Sequence, residues 1–580
     1  MRAQFRWLGP WVQEVDASTL RGDATAALLA ALLVLPQAIA FATLAGLPPA
    51  WGLYSAVVPT ALAALAGSSR QVLTGPTNAL SLALAASLAP LAAAGSAEYL
   101  RLAVVVTLMI GVMQLAIALS RLGVLTHFIA PSVLLGFTSG AAVLIVWHAL
   151  SELGIGARLD PSALGVGVFT LAIAVLLRQR WPGGPALLGA LAAGTLVGVA
   201  AQLLGGVAMH RVGELPQALP QWQVPAWQWA DVGRLVTIAF ALTIVALGQS
   251  VAIAKVLAQR SGRALDVNRE CLGQGVANTV GAFFSCFASC GSLNRSLPHV
   301  EAGARTPLAA VMAALLLVAV VALAAPVLAW VPMAAISGLL LVVAWSLLDR
   351  QAWRELLRLD WREAVVAAGT LVATLLLPLQ VAVLSGVAAS LVLYIYRTSR
   401  PALRTMGFAT PPVPGTLRPF VVLAPGASEC PQLKMLRMEG PVWFGAEAHV
   451  ADTLRALHDA KQPARHLLVM TKSMNFVDAA GAALWERERD RRVGIGGDLY
   501  FHRPRPEVLR AWRVSGFINR LGADHLFDTK RSGIAAIVPR LDGAICATCT
   551  QRIFEECAHQ PGATLRPSES PQKAPSPTGS

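Results

Sequence analysis

Gly75-Pro76-Thr77-Asn78 and Ser289-Cys290-Gly291-Ser292 interrupt two long apolar stretches. Each follows a connection with no charge pair to hold it at a membrane surface. Each opens a helix too short, or too polar at its start, to cross a bilayer alone. Irregular backbone at membrane depth is tolerated only where it is buried in protein or lines a cavity. Outward from these two points, segments close to the roughly 20 apolar residues that a spanning helix needs recur from Ala24 to Tyr396. They fall at 24–44, 51–66, 77–93, 100–119, 125–149, 162–177, 184–206, 232–256, 269–288, 292–301, 307–329, 332–348, 362–379 and 381–397. The interruptions open the third and the tenth of these fourteen segments, and paired interruptions of this kind mark an inverted repeat with a site at the midplane. Equivalent helices lie seven apart, an odd number, so they run in opposite directions and the two broken ends are expected to face one another.

The composition fits a polytopic membrane protein. Of 580 residues 55% are hydrophobic and 13% charged, about half the ~25% charge of a soluble domain. Residues 1–400 hold 38 of the charged side chains and residues 401–580 hold 40. The expected organisation is an N-terminal segment (1–21), a transmembrane transport domain (22–400), a soluble domain (401–545) and a cysteine-containing tail (546–580). Seven cysteines, sparse and odd in number, exclude a disulfide scaffold, and the recurrence of apolar segments excludes a cleaved signal peptide as the only one. The net charge of +14 is what many cytoplasmic loops accumulate, so nucleic acid is not the expected partner. With the N-terminus inside, 19 Lys and Arg collect on the inner side, against Arg101, Arg158, Arg211 and Arg234 outside. Both termini and the soluble domain are therefore expected in the cytoplasm, on a multi-pass protein of the inner (plasma) membrane.

Leu35-Pro36-Gln37-Ala38-Ile39-Ala40-Phe41, Ala45-Gly46-Leu47-Pro48-Pro49-Ala50-Trp51-Gly52-Leu53-Tyr54-Ser55, Gly67-Ser68-Ser69-Arg70 and Gly75-Pro76 resemble the signature of the sulfate permease (SulP) family of anion transporters. Gln274-Gly275-Val276-Ala277-Asn278, Gly291-Ser292-Leu293-Asn294-Arg295-Ser296 and Ala302-Gly303-Ala304-Arg305-Thr306-Pro307-Leu308 are similar to its second-half motif. The resemblance runs from about residue 20 to 540. It implies an α-helical polytopic fold of fourteen segments in two intertwined inverted repeats of seven, forming core and gate domains, usually dimeric, and followed by a cytoplasmic α/β STAS domain. The family moves sulfate, chloride, bicarbonate, oxalate or dicarboxylates, by exchange or symport.

An anion at the midplane needs donors and partial positive charge, which two opposed helix N-termini supply. The first helix is expected to begin at Thr77, with Pro76 at its first turn. The second is expected to begin at Ser292. Thr77, Asn78, Ser292, Leu293 and Asn294 are thus candidate anion contacts. Arg295 lies one turn into the second helix, where a charge at membrane depth points to function; the bland readings are a salt bridge or snorkelling to the inner surface. Gln37 and Phe41 share a face one turn apart, so an amide donor lies beside a ring whose positive edge can meet an anion. Core packing is the ordinary reading for Phe41, and the family's use of matching Gln and Phe positions around the anion raises both. Gln249 stands where the resemblance implies that many coupled members carry a carboxylate. An amide cannot titrate, so exchange or uncoupled movement is favoured over proton symport through this position.

The remainder reads as β–α alternation, with strands Lys434–Met438, Val442–Phe444, His466–Met470 and Leu499–His502 among helices near 446–460, 479–493, 505–514 and 529–540. Asn475-Phe476-Val477-Asp478-Ala479-Ala480-Gly481 resembles the STAS turn that carries a phosphorylated Ser in anti-sigma factor antagonists. Ala479 and Ala480 offer no hydroxyl, so Asp478 is read as a helix cap and the domain as a scaffold or dimer contact. Cys546, Cys549, Cys557 and His559 form C-x₂-C-x₇-C-x-H, weakly compatible with zinc or a redox pair, with inert thiols as the ordinary reading. From Pro561 the Pro/Ser/Thr-rich tail reads as disordered. No cofactor is called for and no enzyme constellation appears in the membrane body, where His127, His148 and His299 stand apart. The leading reading is a secondary transporter of a small inorganic anion, with the lipid bilayer and a second copy as partners. A dicarboxylate transporter of the same fold, a nucleobase permease (disfavoured by Gln249 and Asn294) and a membrane-anchored regulatory protein are the alternatives.

Overall fold

The computed structural model describes residues 10–123, 130–153, 160–180, 186–205, 210–212, 220, 222–408, 418–424, 426–459 and 462–562. The expected disordered tail beyond 562 lies outside these residues, as do Arg2, Arg6, His127 and Arg158. Two compact units divide the chain, Met1–Leu391 and Val392–Ser580.

The first unit is helical: α1 (Ala17–Leu44), α2 (Pro49–Ala66), α3 (Asn78–Leu88), α4 (Ala97–Leu119), α5 (Pro131–Glu152), α6 (Pro161–Arg180), α7 (Ala186–Gly205), α8 (Trp229–Ser261), α9 (Val267–Ala282), α10 (Leu293–Glu301), α11 (Leu308–Leu328), α12 (Met333–Leu347), α13 (Arg350–Leu359), α14 (Trp361–Leu376) and α15 (Leu379–Thr398), the last crossing the division. Among the described residues nine helical stretches are long and apolar enough to cross a membrane. The two helices at the interruptions, α3 and α10, have only 11 and 9 residues, too short to span. The packing is that of an inverted repeat. If α1–α5 match α8–α12, and α6 matches α14, four packed pairs have their counterparts: α1 on α11 and α8 on α4, α2 on α11 and α9 on α4, α1 on α10 and α8 on α3, α5 on α14 and α12 on α6. Helix α13 was not expected from the sequence. It is too short to span, and it sets Arg350, Arg354 and Arg358 four residues apart on one face, as an interfacial helix does.

Helix contacts rest on small residues, which let backbones approach closely where lipid gives no hydrophobic drive between helices. A β-carbon on Gly52 would sit 1.9 Å from the carbonyl oxygen of Ala38, and one on Gly111 2.4 Å from the backbone nitrogen of Thr279.

The second unit holds a six-stranded sheet of β3 (Ala402–Phe408), β4 (Phe420–Val422), β5 (Leu433–Glu439), β6 (His466–Ser473), β7 (Leu499–His502) and β8 (Leu526–Phe527) in the order β4-β3-β5-β6-β7-β8. β5 to β8 are parallel, while β3 runs antiparallel to both its neighbours. The helices between strands are α16 (Phe444–His458), α17 (Ala479–Gly494), α18 (Pro506–Val514) and α19 (Phe517–Leu521), and α20 (Lys530–Ile537) and α21 (Gly543–Thr548) follow the last strand. The expected strand at Val442–Phe444 is corrected to a single bridge, Val442 to Val477, because Phe444 already starts α16 with its N–H bound by the Asp478 carboxylate at 2.9 Å. Asp478 also caps α17 through the Gly481 N–H at 2.9 Å, the role read for it from sequence.

Candidate functional site

The two interruptions meet. Thr74–Gly75 (β1) pairs antiparallel with Cys290–Gly291 (β2), Thr74 opposite Gly291 and Gly75 opposite Cys290. Each two-residue strand ends two residues or fewer before a short helix, so the N-termini of α3 and α10, each carrying partial positive charge, flank one crossing. The bond from Ser292 N–H to the Leu73 carbonyl (3.1 Å) and that from Leu73 N–H to Ser296 Oγ (2.9 Å) close the crossing on its other edge. Gly75 has φ +157°, and a β-carbon there would lie 2.7 Å from an Arg295 nitrogen, so the close approach of that guanidinium requires glycine.

The two helix ends differ. Thr77 is the N-cap of α3 rather than its first residue, and its hydroxyl accepts from Leu80 N–H (3.4 Å), while the side chain of Asn78 accepts from Ala79 N–H (2.8 Å). Pro76 therefore precedes the cap. At α10 the N-cap is Ser292, whose side chain makes no capping bond, so the first-turn donors of Leu293 and Asn294 lack the side-chain acceptor that α3 has. Thr77 and Asn78 are buried, Ser292 is partly buried, and Leu293 and Asn294 are exposed.

Arg295 is 2% exposed. Its guanidinium donates through Nη2 to the carbonyl of Pro76, and its Nε has no partner. It therefore reaches from the second half-helix to the backbone just before the first, neither snorkelling nor holding a carboxylate among the described ion pairs. It also borders a small cavity whose other walls include Ala31, Val34, Thr60, Thr74 and Ala313. Gln37 is partly buried and Phe41 buried on α1, a helix that packs against both α3 and α10. Gln249 on α8 accepts from the Cys290 thiol (3.2 Å), and the same sulfur lies 3.4 Å from the Thr77 hydroxyl. Ser250, next along α8, accepts from Gly291 N–H at 2.8 Å.

Sequence reading missed the residues that hold this crossing. Cys290 joins Thr77 to Gln249, and a lone cysteine gives no periodic or spacing signal. Asn278 on α9 grips Ser289 from both sides, donating to its carbonyl (2.9 Å) and accepting from its N–H (2.8 Å), and also donates to Gln114 on α4 (2.9 Å). Its place in the second-half motif was the available signal. The tail cysteines behave differently from the four-ligand reading. Cys546, Cys549 and Cys557 line a small cavity with Cys430, while His559 is not in its wall. Among the described residues no group of three His, Cys, Asp or Glu could hold a metal. Burial pushes the Cys430 thiol up to about 11 and raises Cys546 and Cys557 too, so these are protonated thiols of low reactivity.

Comparison with known proteins gives the same architecture. A probable sulfate transporter of Mycobacterium tuberculosis is 30% identical over 546 residues, covering 90% of this chain and 96% of the relative. A putative sulfate transporter of Bacillus subtilis is 26% identical over 533 residues, with 87% and 96% covered. The inward-facing structure of murine Solute Carrier 26 family member A9 superposes with TM-score 0.81 at 21% identity, covering 93% of this chain and 95% of that one. The transmembrane domain of a cyanobacterium bicarbonate transporter, BicA, gives TM-score 0.58 at 24% identity over 65% of this chain and 98% of that one. The sequence pattern of the STAS domain matches residues 424–533 and that of the sulfate permease family residues 20–370: the chain belongs to the sulfate permease family, a family of multi-pass membrane transporters rather than enzymes.

Proposed function

We propose that this protein is a secondary transporter of a small inorganic anion, sulfate or one of similar size such as bicarbonate or chloride, bound between the N-termini of α3 and α10. The antiparallel pairing of β1 with β2 carries the reading, because it brings two half-helix N-termini to one place, and a membrane anchor has no use for broken backbone. The α10 N–H groups donate to the anion and Arg295 supplies field from behind the crossing. Gln37 and Phe41 close the site from α1, and Gln249 bounds it from α8. In this reading both termini are cytoplasmic, the working unit is a homodimer, and the STAS domain is a scaffold. Relatives named for sulfate support that anion first.

Uptake of labelled sulfate, bicarbonate, chloride and succinate into proteoliposomes, with and without proton or sodium gradients, tests the proposal. Saturable uptake of one inorganic anion, inhibited by the others, is expected. Arg295→Gln should raise the anion concentration needed for half-maximal uptake by about tenfold, equivalent to 1.4 kcal/mol, and leave the protein folded. Unchanged affinity in that variant would remove Arg295 from the site, and no movement of any of the four anions would end the transporter reading.

A further inference from the structure

Glu270 opens a polar stripe along α9. Glu270, Gln274 and Asn278 follow at four-residue intervals, so they share one helix face, and they are 3%, 1% and 0% exposed. Glu270 Oε2 accepts from two successive backbone N–H groups, Ser68 at 3.1 Å and Ser69 at 2.8 Å, and its Oε1 accepts from Gln274 Nε2 at 3.4 Å. No arginine or lysine is among its described partners. The same Gln274 amide donates to the Thr74 hydroxyl at 2.9 Å, on the strand that leads into α3. Glu301, the nearest acidic residue to the site along the sequence, is exposed at the end of α10. Among the charged and titratable groups around α9, α4 carries Glu98 and Arg101 at the end remote from Glu270, with Arg121 just past its other end. α2 carries Tyr54, also remote. α8 carries Lys255 and Arg260 on its last turns. The loop after α2 brings Arg70, which pairs with Glu14. On α9 itself Asp266, Arg269 and Cys271 flank Glu270.

We infer that Glu270 is a proton-binding site that latches the loop leading to the anion helix, so that protonation frees α3 and speeds transport. When ionised, the carboxylate holds Ser68 and Ser69 through charge-assisted bonds, roughly twice as strong as neutral ones. That loop runs straight into β1 and the N-terminus of α3, so gripping it restrains the helix that binds the anion. A proton from water neutralises Oε, and the new O–H needs an acceptor. Gln274 Oε1 is buried with no partner. Turning that amide over brings this oxygen to Glu270 and to the Thr74 hydroxyl, which then donates to it. The buried oxygen thus gains donors only when Glu270 is protonated, and the weakened hold on Ser68 and Ser69 is the mechanical output. The proton enters where the loop is partly exposed.

This inference rests on the transporter reading for its output but not for its latch, and the tests separate them. Hydrogen exchange of the 64–76 segment in the reconstituted full-length chain, normalised to an unfolded peptide at each pH, should lose protection as pH falls, through a single one-proton titration. In parallel, labelled sulfate and chloride uptake should rise toward low pH, with a slope of at most about tenfold per pH unit for one proton. Glu270→Gln, a neutral isostere, should run at the parent's low-pH rate at every pH and show flat, low protection of 64–76. Protection in the parent that does not change with pH overturns the latch, whether or not the variant folds. Uptake profiles that superpose for parent and Glu270→Gln also overturn it. A segment that titrates in a protein moving neither anion upholds the latch and overturns the transporter reading.

Discussion

Gln249 shows how much depends on one atom at the crossing. Its Oε1 accepts a hydrogen bond from the Cys290 thiol, and Cys290 in turn touches Thr77, so this side chain sits at the junction of α8, β2 and the α3 cap. An amide there adds no titrating charge of its own. Gln249→Glu should add a titration absent from the parent. Above the introduced pKa the carboxylate repels the anion, and below it the protonated acid restores binding, so affinity should fall as pH rises. Anion-uptake titrations of parent and variant across pH 5 to 8 that superpose would place Gln249 away from the anion. Asn278 is structural by the same standard. Asn278→Ala strands the N–H and carbonyl of Ser289, both bonded to that amide, at roughly 1–3 kcal/mol each. A thermal unfolding midpoint equal to the parent's would contradict this.

At the scale of elements, the short helices exist because their longer neighbours pack closely enough to leave them room. Gly52 lets α2 lie against α1 with no side chain between, and Gly111 does the same for α4 and α9. Gly52→Ala and Gly111→Ala must each push a β-carbon into rigid backbone, a strain typically worth about 1–3 kcal/mol and sometimes more. Both should lower the unfolding temperature in detergent. Gly165→Ala on α6, where a β-carbon meets nothing within 4 Å, should not. Equal midpoints for all three variants would mean that the helix pairs tolerate separation.

For the whole molecule, the C-terminal unit carries its own core on both faces of its sheet. Trp485, Trp512, Phe501 and Phe517 are buried on one face, and Tyr500, Leu468, Ile537 and Phe554 on the other. A unit with a complete core and no phospho-acceptor at Ala479 or Ala480 fits a scaffold. Removing residues after about 405 should lower expression or dimer yield, measured by size-exclusion chromatography with light scattering, more than it alters the order of anion preference. A kinase-dependent, reversible change in rate mapped to 475–481 would make the domain a switch instead.

The sequence by itself determined the polytopic class, the positions of most helices, both interruptions and the capping role of Asp478. Each of these rests on signals within a few turns of chain: apolar runs of spanning length, Gly-Pro and Ser-Gly breaks, and an acidic residue ahead of a helix. It overlooked α13, whose alternating Trp, Arg and Leu over ten residues fall short of a membrane span, and it read a strand at Val442 where the Asp478 carboxylate draws Phe444 into a helix. Only the tertiary structure decided that Arg295 aims at the Pro76 carbonyl, that Cys290 links Thr77 to Gln249, that Cys430 joins the tail cysteines, and that Glu270 holds Ser68 and Ser69. These partners are separated by 219, 41, 116 and about 200 positions along the chain. No local periodicity links such residues; they meet because two inverted repeats interlock and the chain after β8 packs back onto the sheet.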